Sequence, residues 1–313
     1  MSRQLARPGF KATPDYLTDT MHDLQAVPHR FEMTMQMGVE IGGDVEGPDP
    51  SRIVGAFDGE RQHVRMEPGG PTVGGDEQPS ETIVDLSDNA LYVHTPGTAE
   101  MADELPDLGA STDYLDALAE LGDRWGRADL TAIEDELPEN WTSQLTQVRL
   151  QNLDPDSFVD LVASAESVEE LGTAEIQDEQ MTGLAATVTA EDLAAARNTQ
   201  AAQAAQTTST TASVPVEPEP GSLGDLLANL EYKVEAWIDR DGNIRRLVLD
   251  QGEAMEQFMS EGDNPQDTPI PTFTSVISLD FFDYGDESIK VELPDEADTV
   301  DITAAVRDMY KAN

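Results

Sequence analysis

From residue 31 to 41 the chain alternates without an error: Phe31, Met33, Met35, Met37, Val39 and Ile41 fall on one side, and Glu32, Thr34, Gln36, Gly38 and Glu40 on the other. Side chains of a strand point alternately to opposite faces, so this pattern predicts an antiparallel strand with one face buried. Residues 52–58 and 61–67 predict a hairpin around Gly59-Glu60, and 81–86 and 90–95 a second one joined by Ser87-Asp88-Asn89. Residues 234–250 alternate on both sides of Asp241-Gly242, the dipeptide that suits a two-residue type I′ turn because both of its residues take positive φ. That turn would set Ile238 against Arg245, Ala236 against Leu247 and Val234 against Leu249 on a buried side. Trp237 would then lie against Arg246 as a cation–π pair, and Lys233 against Asp250 as an ion pair. Residues 273–284 give the last long strand, with Ile277, Leu279 and Phe281 on one face and Gly285 at its end. Two extended pieces, 291–294 and 300–303, and a terminal helix over 304–310 follow.

Elsewhere the period is helical. Residues 14–26 carry apolar positions at helical spacing behind a Thr13 cap, and 113–121 place Tyr114, Leu115, Leu118 and Leu121 on one stripe. Leu130, Ile133 and Leu137 suggest a further short helix. Asp154-Pro155 opens another, with Phe158, Leu161 and Val162 as its stripe, before strands at 168–176 and 184–189, a helix from Ala190, and a short helix at 223–230. A low-complexity insertion covers about 198–222, and flexible loops about 42–50, 67–80 and 252–271. Strands on both sides of the insertion are needed for one sheet, so residues 1–313 read as a single α+β domain.

Charge narrows the function. The chain has 63 acidic against 18 basic residues, a formal net charge of −45. It should repel phosphate backbones, which argues against nucleic acid as a partner. The excess reads as surface solvation suited to a salty or GC-rich organism, the alternative being an acidic face for a cationic partner. There is no cysteine, hence no disulfide framework or thiolate metal site. No apolar run is long enough for a membrane helix, and the first ten residues lack the apolar core of a signal peptide. His22, His29, His63 and His94 have no metal-ligand spacing, and Asp239, Asp241 and Asn243 fit a hairpin better than a calcium loop because Gly242 comes too early. No nucleophile elbow, phosphate loop or dinucleotide fingerprint is present, so neither an enzyme nor a cofactor is expected.

Several segments carry a resemblance. Val-Glu-Ala-Trp-Ile-Asp followed by Asp-Gly-Asn-Ile-Arg-Arg-Leu at 234–247, the Asp-Asn turn running into Leu-Tyr-Val at 88–93, and Asp154-Pro155, then 168–172 and 186–188, occur in an order similar to that of the LppX/LprG-type actinobacterial lipoproteins, which have a LolA-like fold. The resemblance runs from about residue 24 to 303. The chain departs from it in lacking a leader with a lipid-modified cysteine, in a longer stretch between residues 96 and 141, and in having Met181-Thr182-Gly183 where relatives more often carry threonines and a tyrosine.

The resemblance implies a strongly curved antiparallel half-barrel with helices near 14–26, 113–137, 155–165 and 223–230 covering its concave face. It also implies non-catalytic binding and carriage of an acyl lipid, glycolipid or lipoprotein acyl chain in the extracytoplasmic cell envelope, with envelope transport proteins as partners. The alternatives are an envelope sensor or protein-interaction module without lipid and, for location, the cytoplasm. Met33, Met35, Met37, Phe57, Val234 and Leu279 are the candidate cavity residues, each on the apolar side of an alternating strand. Ordinary core explains such residues as well, but methionine is flexible and over-used on surfaces that adapt to varied apolar partners.

Overall fold

The computed structural model describes residues 27–41, 44–69, 80–97, 119–134, 168–177, 179–189, 231–252 and 272–312, together with 20 and 165. Its strands are β1 (His29–Ile41), β2 (Asp44–Glu46), β3 (Ser51–Asp58), β4 (His63–Pro68), β5 (Glu81–Asp85), β6 (Ala90–His94), β7 (Trp125–Asp129), β8 (Val168–Ile176), β9 (Glu179–Thr189), β10 (Glu231–Ile238), β11 (Ile244–Asp250), β12 (Thr272–Phe282) and β13 (Thr299–Asp301). Among the described residues the helices α1 (Leu130–Glu134) and α2 (Thr303–Ala312) accompany them. The chain forms two compact units, one of Met33–Ser51 and Leu153–Phe281 with Met1–Gln25, the other of Ala26–Glu32, Arg52–Asn152 and Phe282–Asn313.

In the first unit the strand order is β1-β12-β11-β10-β9-β8, with β2 on β1, and β1–β2 and the successive pairs from β12 to β8 are antiparallel. In the second it is β13-β7-β6-β5-β4-β3. There β13 runs parallel to β7, so the expectation of a purely antiparallel sheet is corrected to a mixed one. A second correction concerns 113–137. Residues 119–121 and α1 are helical, but Trp125–Asp129 between them is a strand. Pairing with β6 on one side and with β13 on the other makes it a strand, and Gly126 leaves room for the Ile302 side chain, which an added Cβ would approach within 2.7 Å. Short β2 also lies inside the expected 42–50 loop. Apart from residues 20 and 165, the helices expected at 14–26, 155–165 and 223–230 lie outside the described residues, as do the 198–222 insertion and the 253–271 part of the last loop.

Three hairpins close on the same device, an aspartate at the end of the outgoing strand whose carboxylate accepts the turn's own N–H groups. Asp58 Oδ1 accepts from Glu60 and Arg61 at 3.2 and 3.3 Å, Asp85 Oδ1 from Ser87 and Asp88 at 3.0 and 3.1 Å, and Asp239 Oδ1 from Asp241 and Asn243 at 2.9 Å each. Each turn then needs one left-handed residue, supplied by Gln62, Asn89 and Gly242. Short polar side chains that bond their own backbone favour turns over ladders for this reason.

The organising hairpin keeps the expected register over most of its length: Lys233 against Asp250, Val234 against Leu249, Ala236 against Leu247 and Trp237 against Arg246. Its turn is different. The Gly242 N–H bonds Asp239 O at 3.2 Å, and Gly242 has φ 91° while Asp241 does not have positive φ, which makes a three-residue loop rather than a two-residue type I′ turn. The ladder therefore slips by one residue, and Ile238 faces Ile244 in place of Arg245. Arg245, the extra residue, pairs with Asp239 at 3.1 Å. Arg246 makes a two-pronged bond to Asp280 at 2.6 and 3.0 Å, and the Lys233 ammonium lies 2.8 Å from Glu235. These pairs stand where a cation–π contact and a Lys233–Asp250 ion pair were expected. Gly242→Ala should lower stability by about 1–2 kcal/mol, the cost of a left-handed Cβ, with Asp241→Ala costing well under half as much. Equal losses in chemical denaturation would mean that both residues need positive φ.

In the second unit the extended piece 289–293 lies across one face of β3 to β6. Val291 is buried with Ile83, Ala90 and Tyr92, and Ala56, Trp125 and Leu293 pack against that group. Its backbone is held at both ends, the N–H by Asp58 Oδ2 at 3.3 Å and the carbonyl by His63 Nδ1 at 2.9 Å. Buried strand-like backbone without a ladder partner must find such side-chain partners.

Candidate functional site

Residues directly opposite in a ladder share a face. In the first unit the register joins Ala186, Val234, Leu249 and Ile277 in one row, and Leu184, Ala236, Leu247 and Leu279 in the next. All but the half-buried Ile277 are buried. The small Ala186 and Ala236 stand on adjacent strands, Ala236 between Leu184 and Leu247. Tyr232, on the same side of β10 and opposite Val188, closes the row toward the strand end, and burial pushes its phenol above the ordinary range. The other face carries Glu235, Arg246 and Asp280, and Trp237 lies over Gly183, where a Cβ would come within 2.7 Å of the ring. One side of these strands is apolar and the other is an ion-paired surface.

Of the residues singled out from the sequence, Val234 and Leu279 are brought onto this face, one row apart and both buried. On β1, which neighbours β12, the methionines grade outward: Met33 is fully buried, Met35 half-buried, and Met37 61% exposed. Phe31, on the same side of β1 as Met33, lies over Gly55, where a Cβ would strike both its ring and the Arg65 carbonyl. Phe57 is buried in the second unit, its ring 5.1 Å from that of His29. Sequence reading set Ala236 against Leu247 on this buried side without counting it among the cavity residues, and it named neither Leu184 nor Ala186 for this face.

The polar groups form turns and clamps. His63 Nε2 lies 3.8 Å from Asp85 Oδ1, and the Ser87 hydroxyl donates to that same carboxylate at 2.7 Å, not to the imidazole. The serine is therefore not set up for activation by a base. Among the described residues no three His, Asp or Glu side chains converge as a metal site, and no helix is long and apolar enough to cross a membrane.

Among solved structures the chain is similar to the Mycobacterium tuberculosis lipoprotein LppX, at 11% identity over 89% of this chain and 97% of that one, TM-score 0.39. It is also similar to LprF from Mycobacterium bovis, at 10% identity over 90% and 95%, TM-score 0.36. These are lipoproteins of the type that the sequence segments resemble. No protein-family model and no curated protein matches the chain.

Proposed function

We propose that the protein binds and carries an acyl lipid, glycolipid or lipoprotein acyl chain without catalysing a reaction, in the cell envelope, and that Met33, Met35, Met37, Phe57, Val234 and Leu279 face the chain it carries. The observation that supports this reading is the continuous apolar face of β9 to β12, two rows deep, with the small Ala186 and Ala236 within it and the methionine run of β1 beside it. Under this reading the sheet is strongly curved, helices cover its concave side, and residues 1–313 act as one domain. Burying about a dozen methylenes at roughly 0.8 kcal/mol each would contribute on the order of 10 kcal/mol before ordering costs.

Native mass spectrometry of the protein isolated from its own host tests the proposal, and a bound mass in the lipid range is expected. One cooperative unfolding transition, raised by the bound lipid, is expected as well. No bound mass and no uptake of a fluorescent fatty-acyl probe would leave the interaction-module reading.

A further inference from the structure

We infer that the native fold depends on salt at close to molar concentration, the protein being built for surroundings far more saline than ordinary cytoplasm or blood. The argument joins the charge to where its basic side chains go. Arg52 holds Glu32 at 2.6 Å, Arg65 holds Glu81 at 2.8 Å, Arg246 holds Asp280 at 2.6 Å, and Lys290 holds Glu60 at 3.2 Å. Arg30, Arg61, Arg124, Arg127, Lys233, Arg240, Arg245 and Arg307 are likewise engaged with the chain's own groups. Even one-to-one pairing across the whole sequence leaves the surplus of 45 acids without a cationic partner. Part of that surplus lies along one strand: Glu169, Glu170 and Glu175 are exposed on β8, at the end of its strand order.

Folding brings these charges closer together than they are in the open chain, so their mutual repulsion opposes the compact state. The Debye length falls from about 30 Å at 0.01 M to about 3 Å at 1 M, so the repulsion acts across the molecule in dilute buffer and only between neighbours in molar salt. The apolar interior has to overcome that penalty from a sequence only 5% aromatic.

Thermal unfolding of the full chain, followed by circular dichroism from about 0.05 M to about 3 M KCl, tests this. The midpoint is expected to climb by tens of degrees over that range, with much of the native signal lost at the dilute end. Sucrose added at low salt favours compact states without screening charge, and should recover only a minor part of the rise. The triple variant Glu169→Gln, Glu170→Gln and Glu175→Gln should fold at lower KCl than the wild type. A midpoint independent of KCl to within a few degrees, an equal recovery in sucrose, or an unmoved salt requirement in the triple variant would each overturn the inference.

Discussion

Met35→Arg is expected to abolish uptake of a fluorescent fatty-acyl probe while leaving the strand signal intact, and Gln36→Arg to leave both unchanged. The gradient along β1 chooses the position. Met33 is fully buried, so an arginine there would put an unpaired charge into packed interior and unfold the protein, which says nothing about ligand. Met37 is already 61% exposed, so an arginine there costs little. Met35 lies between them, half-buried on the same side of the strand, where a long side chain can reach water without collapsing the core yet leaves its charge beside any bound acyl chain. An apolar ligand meeting that charge loses several kcal/mol, enough to take a micromolar complex beyond detection. The exposed Gln36 faces the other way and serves as the control. A folded Met35→Arg protein that takes up probe like the wild type would remove the methionine stripe from the ligand-facing surface. Wild type that takes up none would remove the carrier reading itself.

The strands were legible because alternation is a direct consequence of strand geometry. The run from Phe31, the pairs Ala236–Leu247 and Trp237–Arg246, and the row containing Val234 all follow from counting in twos from a turn. What counting missed were places where one local choice overrode the period. Trp125–Asp129 lies between helical residues, and its buried positions are the small Gly126 and Ala128, which leave no apolar alternation in the sequence. It is a strand because β6 pairs with it on one side and Thr299–Asp301 on the other, a non-local fact. The Asp241-Gly242 signal located the turn but not its type. Asp239 accepts two N–H groups of the loop, which favours three residues over two and shifts Ile238 from Arg245 to Ile244. The hold of Asp58 and His63 on Val291 spans more than two hundred positions and leaves no periodic trace. For the candidate site, pattern gave the apolar side of each strand, and only the register showed that Val234 and Leu279 lie one row apart.

A histidine supplies the second large effect. His29 is buried at the start of β1, its ring 5.1 Å from Phe57 and 5.7 Å from Tyr284, and its Nδ1–H donates to Val27 O at 3.0 Å. Burial pulls its pKa from 6.5 to about 4, and the bond to Val27 opposes this only in part. The folded protein thus refuses a proton that the unfolded chain accepts. The stability held by neutral His29 is therefore fully present above about pH 6.5, drains away as the pH falls, and is gone by about pH 4. At 1.36 kcal/mol per unit this amounts to about 3 kcal/mol. The wild type alone would not display it cleanly, because acidification also neutralises carboxylates and relieves the repulsion of a chain with net charge −45. The comparison with His29→Phe removes that background. The phenyl ring keeps the contacts with Phe57 and Tyr284 and does not titrate, and the lost bond to Val27 is a cost that does not vary with pH. Denaturant unfolding of both proteins at fixed high salt should show the stability difference, wild type minus variant, falling by about 3 kcal/mol between pH 7 and pH 4. A difference that stays flat across that range would mean that His29 takes up its proton without unfolding the structure around it.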